Sequence, residues 1–214
     1  MIGSTEINKV IRKSLSPILR ENGFNKVNTR NNWRWLDQCI WVLKISAVGN
    51  YFSEVTGWPP MSIQVELGIY YVFIPSVEEI KKGTRGELLP KEYQCHLRGE
   101  LNCNLDQSNY IRHLNNPADR TRTDIWWVEP DGSNVDEVIK DIGKSFIEKG
   151  LNWYINNTDL EIAFTKIENQ LNDGYDISGY DKYYKAKYFA EFLKHEDKLN
   201  LYNHLLKQEK SDDS

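Results

Sequence analysis

The sequence predicts an α+β fold: an antiparallel β-sheet of about four to six strands, flanked by an N-terminal helix and several C-terminal helices. Three observations carry this. Apolar residues recur every three or four positions over roughly the first twenty residues and again after Ser133, which is the period of an amphipathic helix. Between Trp33 and Glu129 the period falls to two, so one side of each segment is apolar and the other polar, as in an antiparallel sheet. Clusters of Gly, Pro, Asn and Asp punctuate that middle region and break it into strands.

The elements follow in order. Ser4 is placed to cap a helix that begins at Thr5, in which Ile7, Val10, Ile11, Leu15, Ile18 and Leu19 form one stripe. Pro17 should kink this helix or start a new turn, and Gly23 is a natural stop. Further on, Trp41, Leu43, Ile45 and Ala47 alternate with Val42, Lys44 and Ser46. "VGNYFSEVTGWPP" is expected to be a loop. Met61 to Phe73 is the longest predicted strand, with Ile63, Val65, Leu67, Ile69, Tyr71 and Phe73 on one face. "IPSVEEIKKGTRGELLPKEY" is a connection with room for a short helix over Val77 to Lys82. Gln94 to Leu105 is a strand, residues 106–124 a polar loop or partial helix, and "DIWWVE" a last short strand closed by "PDG". Ser133 with Asp136, and Thr158 with Glu161, resemble capping boxes that open helices; Gly150 is expected to end the first. "NDGYDISGYD" is a linker to two further helices, Lys182 to Leu193 and Asp197 to Lys207, joined as a hairpin, before a polar tail that should fray. The expected organisation is an α+β domain over residues 1–174 and a helical hairpin packed on it over 175–214.

With 214 residues, 40% hydrophobic and with 7 Trp, 12 Tyr and 7 Phe, the chain can build a sizeable core. The N-terminal stretch lacks an apolar signal core, and no apolar run reaches the roughly 18–20 residues a membrane span needs. An odd count of 3 cysteines fits a reducing compartment better than a disulfide framework. The predicted location is the cytoplasm. The net charge of −4 is unevenly spread: residues 151–214 hold 8 basic and 12 acidic groups, residues 1–50 hold 8 basic and 3 acidic. A pI near 5.7 argues against general nucleic-acid binding.

The segment "QCHLRGELNCNL" holds Cys95, His96 and Cys103 and raises the question of a metal or thiol site. Odd positions are Cys95, Leu97, Gly99, Leu101, Cys103 and Leu105; even positions are His96, Arg98, Glu100, Asn102 and Asn104. In a strand the two sets point to opposite faces, so the thiols share an apolar face and the imidazole lies on the other. A shared zinc would need a bulge, and the thiols, roughly 26 Å apart at ~3.3 Å per residue, cannot bond each other. No metal and no cofactor is expected. His96, Arg98 and Glu100 then line one polar face. That face is either solvated, with an Arg–Glu cross-strand pair, or a groove in which Arg98 holds an anion and His96 titrates. Adjacent Trp126 and Trp127 must face opposite sides, so at least one covers a helix or stays exposed as an interface anchor. Arg30, Trp33, Arg34 and Trp35 could stack bases and hold phosphates, or form a hairpin with its indoles inward. No Gly-rich phosphate loop and no GxSxG elbow occurs.

The order of these elements resembles a known family. A first helix ending in "ENGF", the strands "NNWRWL" and "SIQVELGIYY", then "CHLRGEL", "DIWWVE" and "VDEVIKDIGKSFIEKGLNWYINN" are similar to the domain-of-unknown-function family numbered 4304, over roughly residues 5–165. The pattern Cys95-x-x-Arg98 and the pair Trp126–Trp127 are typical of it. The resemblance implies no reaction. Its looser implication is a small bacterial α+β domain of the kind that includes toxin-neutralising immunity proteins, an analogy of fold.

Three functions are thus in view. The first is a non-catalytic protein-binding domain, immunity-like, with a toxin-like partner or a second copy of itself; it rests on the missing catalytic constellation, the acidic C-terminal region and the many aromatics. The second is a small hydrolase or transferase with a polar pocket around His96, Arg98 and Glu100. The third is single-strand nucleic-acid binding through the Arg30–Trp35 segment. The residues expected to bind are His96, Arg98, Glu100, Trp126, Trp127 and Arg34, with none assigned to catalysis.

Overall fold

The structure, a computed structural model, describes residues 2–172 and 183–212, with side chains over 2–171 and 183–209. The fold is α+β, as expected. The N-terminal helix runs in three pieces: α1 (Ser4–Val10), a π-helical turn (Ile11–Leu15) and α2 (Ser16–Glu21). Pro17 sits in the first turn of α2, where a missing N–H costs nothing, and the wider π turn before it moves the i−4 carbonyl away from the proline ring. Gly23 then leaves the helix at φ +85°, the left-handed value that favours glycine.

Strands β1 (Lys26–Val27), β2 (Asn31–Trp35) and β3 (Cys39–Ala47) follow. The stretch expected to be a loop contains a helix, α3 (Asn50–Thr56), set between Gly49 as N-cap and Gly57 at φ +88°. The glycines that suggested a loop are its two ends. Next come β4 (Ile63–Tyr71), a 3₁₀ turn (Glu92–Gln94), β5 (Leu97–Glu100), α4 (Ser108–Ile111), a second 3₁₀ turn (Pro117–Thr121) and β6 (Ile125–Trp126). No helix forms over Val77 to Lys82; the chain bridges Lys82 to Leu88 instead. The sheet is six-stranded and antiparallel, in the order β1-β2-β3-β4-β5, with β6 paired to the start of β4 through Ile63 opposite Trp126.

Helix α5 (Val135–Ser145) does not stop at Gly150. It continues through a π turn (Phe146–Gly150) into α6 (Leu151–Thr158). Gly150 is there for room: a Cβ would lie 3.0 Å from Leu101 Cδ2 and 3.1 Å from Phe146 Cδ2. Helices α7 (Leu160–Asn172), α8 (Tyr184–Leu193) and α9 (Glu196–Asp212) complete the chain. Asp159 caps α7, its Oδ1 accepting from the Glu161 and Ile162 N–H groups at 3.0 and 3.1 Å. The predicted linker, past Asn172, and the boundary at 174 lie outside the described residues.

The chain divides into two compact units. The first comprises Met1–Trp35, Val42–Leu67 and Gly99–Asn152. Its core joins the N-terminal helix to α5: Leu15, Leu19, Phe146, Val138 and Ile142 are all buried. A Cβ on Gly143 would meet Ile18 Cδ1 at 2.8 Å, so the glycine leaves the room on α5 that the Ile18 side chain fills. The second comprises Leu36–Trp41, Gly68–Arg98 and Trp153–Ser214. Its core is aromatic: the Trp41 ring stacks on Tyr154 at 4.6 Å, and Phe189 meets Tyr71 edge-on at 4.7 Å. Trp41 Nε1 donates to Thr158 Oγ1 at 2.7 Å, and the Tyr71 hydroxyl donates to the Asn157 carbonyl at 2.6 Å, so the polar ends of these rings are satisfied.

Candidate functional site

Two regions hold the residues singled out in the sequence. In the second unit, His96 is 2% exposed. Its Nδ1 accepts from the Tyr71 N–H at 2.9 Å, its backbone N–H donates to the Ile69 carbonyl at 2.9 Å, and its ring lies 4.6 Å from that of Tyr70. The sequence leaves the even side of this strand either solvated or part of a groove; at His96 that side is covered. One imidazole nitrogen is committed to a backbone donor, which fixes the ring's role as a structural acceptor there. Arg98 donates through Nε to Glu92 Oε1 at 2.5 Å, and Glu92 is itself 1% exposed. A buried carboxylate of this kind demands a charged partner, and the 3₁₀ turn at Glu92–Gln94 folds it back to receive one. Glu100 is exposed and falls in the first unit.

The Cys95 thiol is covered and that of Cys103 is half-buried. Cys95 is fully buried, its Sγ 3.5 Å from the Lys91 carbonyl, and burial first, then the Glu92 charge, push it well above the usual thiol range. Cys103 is pushed up to about 12, chiefly by burial. A thiol held protonated is a poor nucleophile and a poor metal ligand. Among the described residues, no group of three or more His, Cys, Asp or Glu side chains is placed to hold a metal ion.

The first unit carries an open cleft. Its wall is the indole of Trp127, on which Tyr110 stacks with centroids 5.2 Å apart and planes 15° from parallel. The Trp58 ring backs Trp127 at 5.6 Å, and Val48, Leu114 and Ile125 fill the cluster behind. The inner part, about 290 Å³, is lined by Leu105, Gln107, Tyr110, Trp127, Asn134 and Glu137. It opens into a wider depression of about 650 Å³ that adds Glu129, Asp136, Lys140 and Asp141.

Short side-chain clamps hold this wall. Gln107, buried, donates Nε2 to the Ile125 carbonyl at 2.9 Å and accepts from the Trp127 N–H. Asn134 donates to the Trp127 carbonyl at 2.9 Å and accepts from the Glu129 N–H at 2.8 Å. Each amide therefore bridges two backbone groups that a two-residue strand leaves unpaired. Trp126 points away, fully buried, with Nε1 donating to Asp141 on α5 at 2.8 Å. The adjacent indoles thus face opposite sides: one covers a helix and the other walls the cleft. The Glu129 charge, first among the causes, raises the Tyr110 phenol above its ordinary range.

Arg34 stands apart. Its Nη1 donates to the Asn22 carbonyl at 3.0 Å, and its guanidinium lies within 2.8 Å of where a Gly23 Cβ would be. It caps the C-terminus of α2, where a cation suits the helix dipole. Sequence reasoning missed Tyr110, Gln107, Asn134, Glu129 and Glu137, which lie in a one-turn helix, in loops and at a helix start, with no period to mark them; the helix-start acids Asp136 and Glu137 were the one available signal.

A family model described as Domain of unknown function (DUF4304) matches residues 15–156. No curated protein sequence and no solved structure matches the chain.

Proposed function

Since the chain belongs to the DUF4304 family of domains of unknown function, a membership that brings no reaction with it, we propose from its geometry that it is a non-catalytic protein-binding domain. One observation carries this reading. The chain keeps an aromatic-walled, acid-rimmed cleft open at Tyr110 and Trp127, while Cys39, Cys95 and His96 are buried. Rigid aromatics beside polar groups are what interface anchors require. The finer form of the proposal is an immunity-like role in a bacterial cytoplasm: the domain binds and neutralises a basic toxin, drawn in by the acid rim. The alternative, a small hydrolase or transferase around His96, Arg98 and Glu100, needs an imidazole that can reach a substrate. At 2% exposure, with Nδ1 engaged, His96 is poorly placed for that work.

The test uses the full chain. Partners captured from a lysate of the source cells, and the product of any toxin-like neighbouring gene, are purified and recombined with it. A stoichiometric complex that Tyr110→Ala or Trp127→Ala abolishes, and Tyr51→Ala leaves intact, supports the reading. Turnover of any member of a broad substrate panel, lost in His96→Ala, would replace it with the enzymatic one.

A further inference from the structure

We infer that the cleft takes an arginine side chain presented by a basic protein partner. This deepens the binding reading and rests on it. Four features on this surface converge on that chemistry.

The first is shape. The inner cleft, about 290 Å³, has room for one long side chain and joins a wider depression through shared residues Leu105, Tyr110, Asn134 and Glu137, so a main chain can lie outside while one side chain enters. The second is the wall. A stacked phenol and indole offer π surface to a flat cation. The third is charge. Asp106, Glu129, Asp136 and Glu137 surround the space, against Lys140 and Lys144 on the outer side; Asp141 is already occupied by Trp126 and Asn104. The fourth is rigidity. The Gln107 and Asn134 clamps fix Trp127 and Glu129 before anything binds, so little ordering is left to the complex.

Arginine fits better than lysine. Its guanidinium is planar, stacks on aromatic faces and meets a carboxylate with two parallel N–H groups. A lysine ammonium can satisfy the charge but not the stacking. Neutral and acidic segments are disfavoured by the carboxylates they would have to desolvate.

The wall also supplies a probe. Trp127 Nε1 is buried and has no hydrogen-bond partner among the described residues, so its N–H resonance is not pinned by an existing bond and responds to a cation arriving at the ring. The full ¹⁵N-labelled chain is titrated with N-acetyl-arginine amide, and separately with N-acetyl-citrulline amide, which has the same shape without the charge. The arginine derivative should shift the Trp127 indole signal and the backbone amides of 105–110 and 129–137, with half-saturation of roughly millimolar order for so small a ligand. Citrulline should leave them in place. In the double variant Glu129→Gln/Glu137→Gln the affinity should fall about tenfold or more, with the rest of the spectrum unchanged. Equal shifts from citrulline, an unaffected double variant, or shifts confined to other residues would overturn the inference. If arginine fails while a protein partner still needs Tyr110 or Trp127, the binding reading stands and the cationic occupant is wrong. If no partner depends on either residue, both fall.

Discussion

Asp141 offers the sharpest test of how the cleft is built. It lies on α5 at 7% exposure. Its Oδ2 accepts from Trp126 Nε1 at 2.8 Å and from the Asn104 N–H at 2.9 Å, and its Oδ1 accepts from Asn104 Nδ2 at 3.3 Å. Asp141→Ala leaves the indole N–H of a fully buried tryptophan with nothing to bond, at a cost of about 1–3 kcal/mol. The Asn104 groups are exposed enough to turn to water, so their loss adds roughly 1 kcal/mol. Removing a largely buried charge returns part of its desolvation. The net is about 1–3 kcal/mol, a sizeable share of the ~5–15 kcal/mol that holds a typical domain together. For a chain of this length each kcal/mol is worth about 2–4 °C in Tm, so the midpoint should fall by roughly 4–8 °C. Asp141→Asn keeps one carbonyl oxygen for the indole and should recover about half. Thermal and urea unfolding followed by circular dichroism measure both. A shift below about 2 °C for the alanine variant, or equal shifts for alanine and asparagine, would refute the claim that this carboxylate locks the Trp126–Trp127 segment to α5.

Two further outcomes follow from burial. A Cβ added at Gly68 would sit 2.6 Å from Cys95 Sγ and 2.8 Å from its Cβ, so Gly68→Ala should lower Tm by about 5 °C through overpacking, and Cys95→Ala in the same chain should restore part of it; a Gly68→Ala protein as stable as the parent would contradict the packing. Cys103 ionises near 12 when folded against an ordinary 9.0, so the folded state holds this proton more tightly, and the stability it adds is complete below about pH 9 and is lost as pH rises from 9 towards 12. At pH 8 the native chain should accordingly react with a thiol reagent far more slowly than the urea-unfolded one, and a Cys103 that reacts equally fast in both would show the thiol to be open.

The sequence made some of this legible and hid the rest for physical reasons. The stripe from Ile7 to Leu19 and the long strand at Ile63–Tyr71 were readable because each buries a single continuous face. Two errors concern glycine. At Gly150 and in the Gly49–Gly57 stretch the residue was read as punctuation. In the first case it makes room for Leu101 inside a continuing helix, and in the second it terminates one. His96 shows a limit of alternation, which tells which residues share a face but not whether another element covers it. The cleft was least legible of all. Trp126 and Trp127 announced two opposite faces, yet Tyr110, Gln107, Asn134 and Glu137 come from a one-turn helix, a loop and a helix start up to thirty residues apart, joined by ring stacking and by side-chain bonds to backbone.

The margins of the sheet have a further consequence. One edge is the two-residue β1, carrying Lys26; the other is shared between the four residues of β5 and the two of β6. Among the described residues, neither edge strand is long enough to present an extended run of open N–H and C=O groups on which a foreign strand could zip. Edges this short offer little to fibril templating, and equally little to any strand that would bind by extending the ladder.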